Sequence, residues 1–117
     1  MLYAPVPREV AALGLRQPAL WISRPQDDQR KERAASGGWP EAEIAAQARS
    51  IGLALSNSTQ GRVVLLPGLF HLDFTDLPAI QPLVGWIGQS GPLGAAEAHR
   101  QINQLTATFF ATSLGGP

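Results

Sequence analysis

Two short apolar runs stand out in the pattern of hydrophobic and polar positions along the chain. One spans Pro18 to Ser23 and the other spans Val63 to Leu66. Neither run alternates with polar residues, which is typical of parallel strands that are covered on both faces. Proline is tolerated at the start of a strand, and Pro67-Gly68 ends the second run because proline donates no N–H to a ladder. The pattern therefore predicts two buried parallel strands.

Helical spacing of apolar residues predicts two long helices, one between the strands and one after them. Pro40 suits the first position of a helix that runs to about Ser56, and Ala95 to Leu114 form the second, which Gly115-Gly116 ends. A shorter helix is predicted over Arg8 to Leu13. The apolar positions that recur on the two long helices are Ile44, Ala48, Ile51, Leu55, Ile102, Leu105, Phe109 and Phe110.

Three further segments lack a periodic spacing of apolar residues and are predicted to be irregular. Met1 to Pro7 carries two prolines and is expected to be an extended lead-in. Arg24 to Gly38 is polar and charged, which predicts a loop of about 15 residues. Gly85 to Gly94 is expected to be a glycine-rich linker.

The order strand, helix, strand, helix predicts an α/β fold with a β-α-β-α unit of parallel strands and flanking helices. Parallel neighbours need a crossover connection, which the first long helix supplies. Two strands alone do not make a stable sheet. We therefore expect an incomplete sheet, with residues 1–117 forming a single partial domain at the end of a larger one.

The composition of the chain argues against several classes of function. The chain is 44% hydrophobic but only 15% charged, and its nine basic residues balance its nine acidic ones, so no basic surface predicts nucleic-acid binding. The absence of cysteine excludes a disulfide framework and a thiolate nucleophile, and it favours a cytoplasmic protein, although sequence upstream could carry a signal. No apolar run approaches the roughly 20 residues of a membrane span, so no transmembrane segment is expected.

His71 is the principal candidate for chemistry. It follows the second predicted strand, and in open α/β sheets ligands and catalytic groups gather at the carboxyl ends of the strands. Histidine has the unperturbed pKa best suited to proton transfer near neutrality. A loop histidine that only hydrogen-bonds its neighbours is the alternative interpretation.

The residues around His71 carry a family resemblance. The run Leu66 to Pro78, LPGLFHLDFTDLP, is followed by the helical segment Ala98 to Asn103 and by Phe109-Phe110 before Leu114-Gly115-Gly116. This arrangement resembles the carboxyl-terminal part of bacterial α/β-hydrolases related to platelet-activating-factor acetylhydrolase. Those proteins show a strand, the motif G-x-x-H-x-x-F-x-D and a final helix with paired aromatics.

The resemblance implies a serine hydrolase of carboxylic esters, with His71 as the general base. The nucleophile elbow G-x-S-x-G of such enzymes is not found in the sequence. The nearest approach is Gly88 to Pro92, in which proline stands at the last glycine, so Ser90 is expected to be a linker residue. In the family the elbow lies upstream, and it would fall before Met1.

The resemblance leaves the triad acid open. In many α/β-hydrolases the acid follows the strand that Pro18 to Ser23 resembles, which makes Asp27 a catalytic candidate, with Asp28 beside it. In the acetylhydrolase relatives the acid usually follows the strand before that one. Asp27 and Asp28 could also simply solvate a charged loop. Asp73 and Asp76 are expected to cap the turn after His71.

No other motif predicts a metal or cofactor site. The chain has two histidines and neither a phosphate-binding glycine pattern nor close carboxylates at ligand spacing. His99 is expected to lie on a helix surface. The tryptophans are expected to pack in the core or at its rim, although Trp39 or Trp86 could line an acyl pocket.

Two functional hypotheses follow. The chain is either the carboxyl-terminal segment of an esterase or lipase-like hydrolase that lacks the nucleophile elbow, or a non-catalytic interaction module that oligomerises through its open sheet edge. The first hypothesis implies an ester or lipid-like substrate in the complete enzyme. Because the sheet edge is open, the chain is expected either to form a homo-oligomer or to associate with an amino-terminal hydrolase segment.

Overall fold

The computed structural model describes residues 6–81 and 83–115, and it contains helices on both sides of a small sheet. Residues 1–5 of the predicted lead-in, and Gly116 of the predicted helix end, lie outside the described residues. The elements in chain order are α1 (Arg8–Leu13), β1 (Ala19–Ser23), α2 (Gln26–Ser36), α3 (Glu41–Asn57), β2 (Gly61–Leu65), a 3-10 turn (His71–Phe74), α4 (Leu77–Ile80), α5 (Leu83–Trp86) and α6 (Ala95–Leu114).

The sheet consists of two strands that run parallel. Ala19 pairs with Gly61 and Ser23 pairs with Leu65, so both strands end at the same edge. Beyond the last pair, the Leu66 N–H donates to the Ser23 carbonyl at 2.9 Å. The mixed helix-and-strand class and the parallel pairing are confirmed, as are the two long helices expected from periodicity and the short helix over Arg8–Leu13.

Helices pack against both faces of this sheet. Leu66, Leu69 and Ala98 form a buried cluster, and Ile22, Val64, Ile102 and Leu105 pack around it, which places α6 on one face. Val63 and Leu65 alternate with Val64 and therefore point to the other face. There they line a groove with Ala48, Ile51 and Leu55 of α3.

The prediction of a long loop over Arg24 to Gly38 is wrong, because α2 occupies most of this segment. Its sequence, QDDQRKERAAS, contains no glycine or proline and is rich in residues that form helices well. Pro25 precedes it, acids occupy its first turn, and Gly37 ends it at φ 79°. The helix lacks a broad apolar stripe, which is why apolar periodicity did not reveal it.

The predicted burial of the second strand is also wrong for the described chain. Leu65 is 52% exposed and Val63 is 37% exposed, whereas β1 is half-buried along most of its length. The strand also begins two residues earlier than predicted, at Gly61, and ends at Leu65. The reason is that α3 shields only part of this face, and β2 pairs with no second neighbour among the described residues.

The predicted glycine-rich linker is irregular only in part. Its first residues belong to α5, which ends at Trp86, and the remainder leads through turns to α6. Within the described part of the chain, no helix combines the length and hydropathy that crossing a membrane requires.

Candidate functional site

His71 lies just beyond the carboxyl ends of both strands, as predicted. The chain leaves β2 at Leu65, passes through Leu69 and Phe70, which are buried, and enters the 3-10 turn at His71. Leu69 belongs to the core cluster between the sheet and α6 and so anchors the loop there. The histidine is thus held at the sheet edge where ligands bind in open α/β folds.

Backbone hydrogen bonds fix the start of this loop. Gly68 has φ 81°, a left-handed conformation that favours glycine. Its N–H donates to Asp28 Oδ2 at 2.9 Å, and its carbonyl accepts from the Leu93 N–H at 3.0 Å. Asp28, which was predicted to solvate a loop or to accompany Asp27, is therefore a buried anchor for the segment before His71.

Asp73 fixes the other end of the loop. It is fully buried, and its Oδ2 accepts from the N–H groups of Phe70 and Gly91, each at 2.7 Å. Its Oδ1 accepts from the Ser90 hydroxyl. Asp73 thus ties the turn to the connection before α6 rather than only capping it. Asp76 lies at the N-cap of α4 but makes no capping hydrogen bond with its side chain.

A buried ion pair lies directly beside His71. The Glu32 carboxylate in α2 pairs with the Arg24 guanidinium, which follows β1, and the two side chains are only 12% and 3% exposed. Glu32 Oε1 also accepts from the His71 backbone N–H at 2.8 Å. One carboxylate therefore connects the ends of both strands through Arg24 and His71.

These groups surround a cleft of about 270 Å³. Its walls combine the ion pair, the imidazole, the carboxyl end of α2 and an indole, and the lining residues are Arg24, Gln29, Glu32, Ser36, Gly37, Gly38, Trp39, His71, Leu72 and Gln89. Trp39 thus lines the cleft, whereas Trp86, which was expected to pack in the core or at its rim, is 86% exposed.

The environment of His71 favours its neutral form. Burial lowers the pKa of His71 below its ordinary value of 6.5, and the Arg24 charge lowers it further, while the Glu32 carboxylate opposes both effects. A neutral imidazole can accept a proton at pH 7. The site therefore has the protonation state that a general base requires.

The structure does not bring Asp27 to this cleft. Asp27 lies in the first turn of α2, its side chain is 82% exposed, and it accepts a hydrogen bond from Arg30 at 2.7 Å. Arg30 also binds Glu41 at the start of α3, so Asp27 belongs to an exposed ion-pair network between two helices. Glu32 is the acidic side chain that lines the cleft with His71.

His99 has a structural partner. Its Nε2 donates to the Thr75 carbonyl at 2.8 Å and so links α6 to the end of the 3-10 turn. It is half-buried, in contrast to the predicted surface position.

Sequence reasoning missed Glu32 and Arg24. Arg24 follows β1 immediately, and Asp28 and Glu32 have the i, i+4 spacing that places two side chains on one face of a helix. The spacing indicates a shared face only if Gln26–Ser36 is a helix, which the apolar pattern of the sequence did not predict.

In residues 6–81 and 83–115, no three side chains of the His, Asp and Glu types come together in a way that could hold a metal ion. Comparison of the chain with protein-family models, with curated proteins and with solved structures finds no match.

Proposed function

We propose that this chain supplies the general base, His71, of a serine hydrolase that acts on carboxylic esters. The observation that carries the proposal is the position of a histidine with a lowered pKa in a cleft at the carboxyl ends of two parallel strands. The resemblance of the segment Leu66 to Pro78 to acetylhydrolase-like α/β-hydrolases supports the same assignment.

In the proposed reaction, a serine hydroxyl attacks the acyl carbonyl and its proton passes to the neutral imidazole of His71. The imidazolium then returns the proton to the alkoxide that leaves as the carbonyl re-forms. Water repeats the sequence on the acyl-enzyme and releases the acid. His71 ends each cycle neutral, so the proposed chemistry needs no cofactor.

The nucleophile is proposed to come from a segment outside residues 1–117. Among the described serines, Ser23 is buried and Ser90 donates its hydroxyl to Asp73. Ser36 lines the cleft, but its hydroxyl is directed to the Glu32 carbonyl at 3.3 Å. None of these serines follows a strand in a nucleophile elbow.

The first test uses the purified chain alone with a p-nitrophenyl ester. We expect no turnover above background, because an isolated general base contributes only about 10² to 10⁴-fold to a reaction that also needs its nucleophile. Turnover that a fluorophosphonate label abolishes would contradict the external nucleophile. Ser36→Ala would then show whether the cleft serine is responsible.

The second test examines the DNA upstream of the codon for Met1. The proposal expects an in-frame G-x-S-x-G segment after a strand, and expects that co-expression of that segment with this chain gives ester hydrolysis. An upstream terminator or an unrelated gene would contradict the hydrolase assignment.

A second candidate function is association without catalysis. It is favoured by the exposure of β2, since Val63 and Leu65 present apolar side chains next to a groove of about 190 Å³ under α3. Exposed apolar strand edges pair readily with other chains. The two candidate functions differ in their dependence on His71, because only the hydrolase requires this residue.

A further inference from the structure

Three features of the site single out Glu32 among the acidic residues of the chain. Its carboxylate accepts from the His71 backbone N–H, pairs with the buried Arg24 guanidinium, and lines the same cleft as the imidazole. A carboxylate buried in such a place is costly unless each lone pair is used.

We propose that Glu32 is the positioning residue of His71 and supplies the negative charge that acts on its imidazole. Asp27 was one sequence-based candidate for this role, but its carboxylate bonds to Arg30 in the exposed network. The inference rests on the proposed role of His71 as a base.

The geometry gives Glu32 two ways to act on His71. Its bond to the backbone N–H sets where the histidine begins the 3-10 turn, and its pairing with Arg24 ties that position to the end of β1. Its charge also opposes the combined effect of burial and Arg24 on the pKa of His71.

In the described part of the chain, the hydrogen bonds of the other titratable groups around this loop go to residues other than His71. Asp28 accepts from Gly68, Asp73 accepts from Phe70, Gly91 and Ser90, and His99 donates to Thr75. Asp28 is therefore a matched control, because it lies one turn from Glu32 on the same helix and holds the same loop at a different residue.

The test is an NMR titration of the His71 imidazole in the full chain, which does not depend on ester hydrolysis. We expect Glu32→Gln to lower the midpoint, because the carboxylate charge is lost while Arg24 remains. Asp28→Asn should leave the midpoint at the wild-type value, and Glu32→Asp should restore part of the shift. Equal midpoints for wild type and Glu32→Gln, or equal falls in Glu32→Gln and Asp28→Asn, would overturn the proposal.

Glu32→Gln leaves Arg24 buried without its carboxylate and could prevent folding. The double variant Arg24→Met/Glu32→Gln removes both charges and keeps the test decisive. Since Glu32 bonds the His71 backbone N–H directly, the loss of its charge should dominate, and the double variant should also titrate below wild type. An unchanged or raised midpoint would count against Glu32, whereas a loss of ester hydrolysis alone would bear only on the role of His71.

Discussion

At the scale of single residues, carboxylates that are buried or nearly so hold the loop that carries His71. Asp28, Glu32 and Asp73 each accept from one or more backbone N–H groups of residues 68–91. Hydrogen bonds to charged acceptors are stronger than those between neutral groups. The position of the histidine is therefore determined by acids from two different parts of the sequence.

Asp73→Ala should destabilise the protein by about 3 kcal/mol, because it leaves buried donors without their acceptor. Asp76→Ala should change stability by less than about 0.5 kcal/mol, since the Asp76 side chain is exposed and makes no capping bond. Urea unfolding of the two variants would measure the difference. Similar costs for both would show that the buried hydrogen bonds of Asp73 contribute little.

Stability should fall on mild acidification through His71. Its pKa is lowered in the folded state, so below the ordinary value of 6.5 the unfolded chain binds more protons. The contribution of the neutral His71 side chain to stability is complete above pH 6.5, and it is lost as the pH falls through the pKa of His71 in the folded state. Hydrogen bonds from Arg100 and Gln101 lower the pKa of Glu97 to about 2, so its contribution is lost only in a more acidic window, below its ordinary value of 4.5.

Urea unfolding between about pH 7.5 and 5.5 would measure this slope, and His71→Asn should flatten it. A slope that is the same in wild type and His71→Asn would contradict the inferred burial of the imidazole.

At the scale of elements, the strands and long helices were predictable but the acidic face of α2 was not. The apolar runs and the helical spacing of Ile44, Ile102 and similar residues report directly on packing against a core. The residues of α2 that bond to the loop after β2 are the polar residues Asp28 and Glu32. A contact between charged groups far apart in sequence leaves no periodic signal, so the partner of His71 could not be identified before the fold was known.

The end of α2 can be tested with two adjacent glycines. Gly37→Ala should cost about 1 kcal/mol, because the residue has φ 79° and a side chain is strained in that conformation. Gly38→Ala should stay within about 0.5 kcal/mol, since its Cβ would make only an ordinary 3.4 Å contact with the Arg33 Cα. Thermal melts would compare the two. Equal effects would contradict the end of α2 at Gly37.

At the scale of the whole molecule, the second strand of the sheet is only partly covered in the described structure. One edge of β2 pairs with β1, and Leu65 remains half exposed on the face beneath α3. Uncovered apolar strands at a sheet edge favour association with another chain.

We therefore expect the purified chain to scatter light with a mass above its 12.5 kDa. Leu65→Lys should shift the mass towards that of the monomer, because a charge on an edge strand opposes pairing. Leu13→Lys, which alters a more exposed leucine on α1, should not. A monomer with a sharp melt that does not depend on concentration would contradict this expectation.

The most direct test of the central claim is the turnover number of the proposed hydrolase, assembled from this chain and the proposed segment that would carry the nucleophile. His71→Ala should lower kcat by about 10⁴-fold while the melting temperature stays near that of wild type, because only binding and oxyanion stabilisation remain. His99→Asn, which keeps an N–H donor for the Thr75 carbonyl, should retain kcat within about tenfold. A His71→Ala enzyme that turns over as fast as the His99→Asn enzyme would contradict the assignment of His71 as the general base.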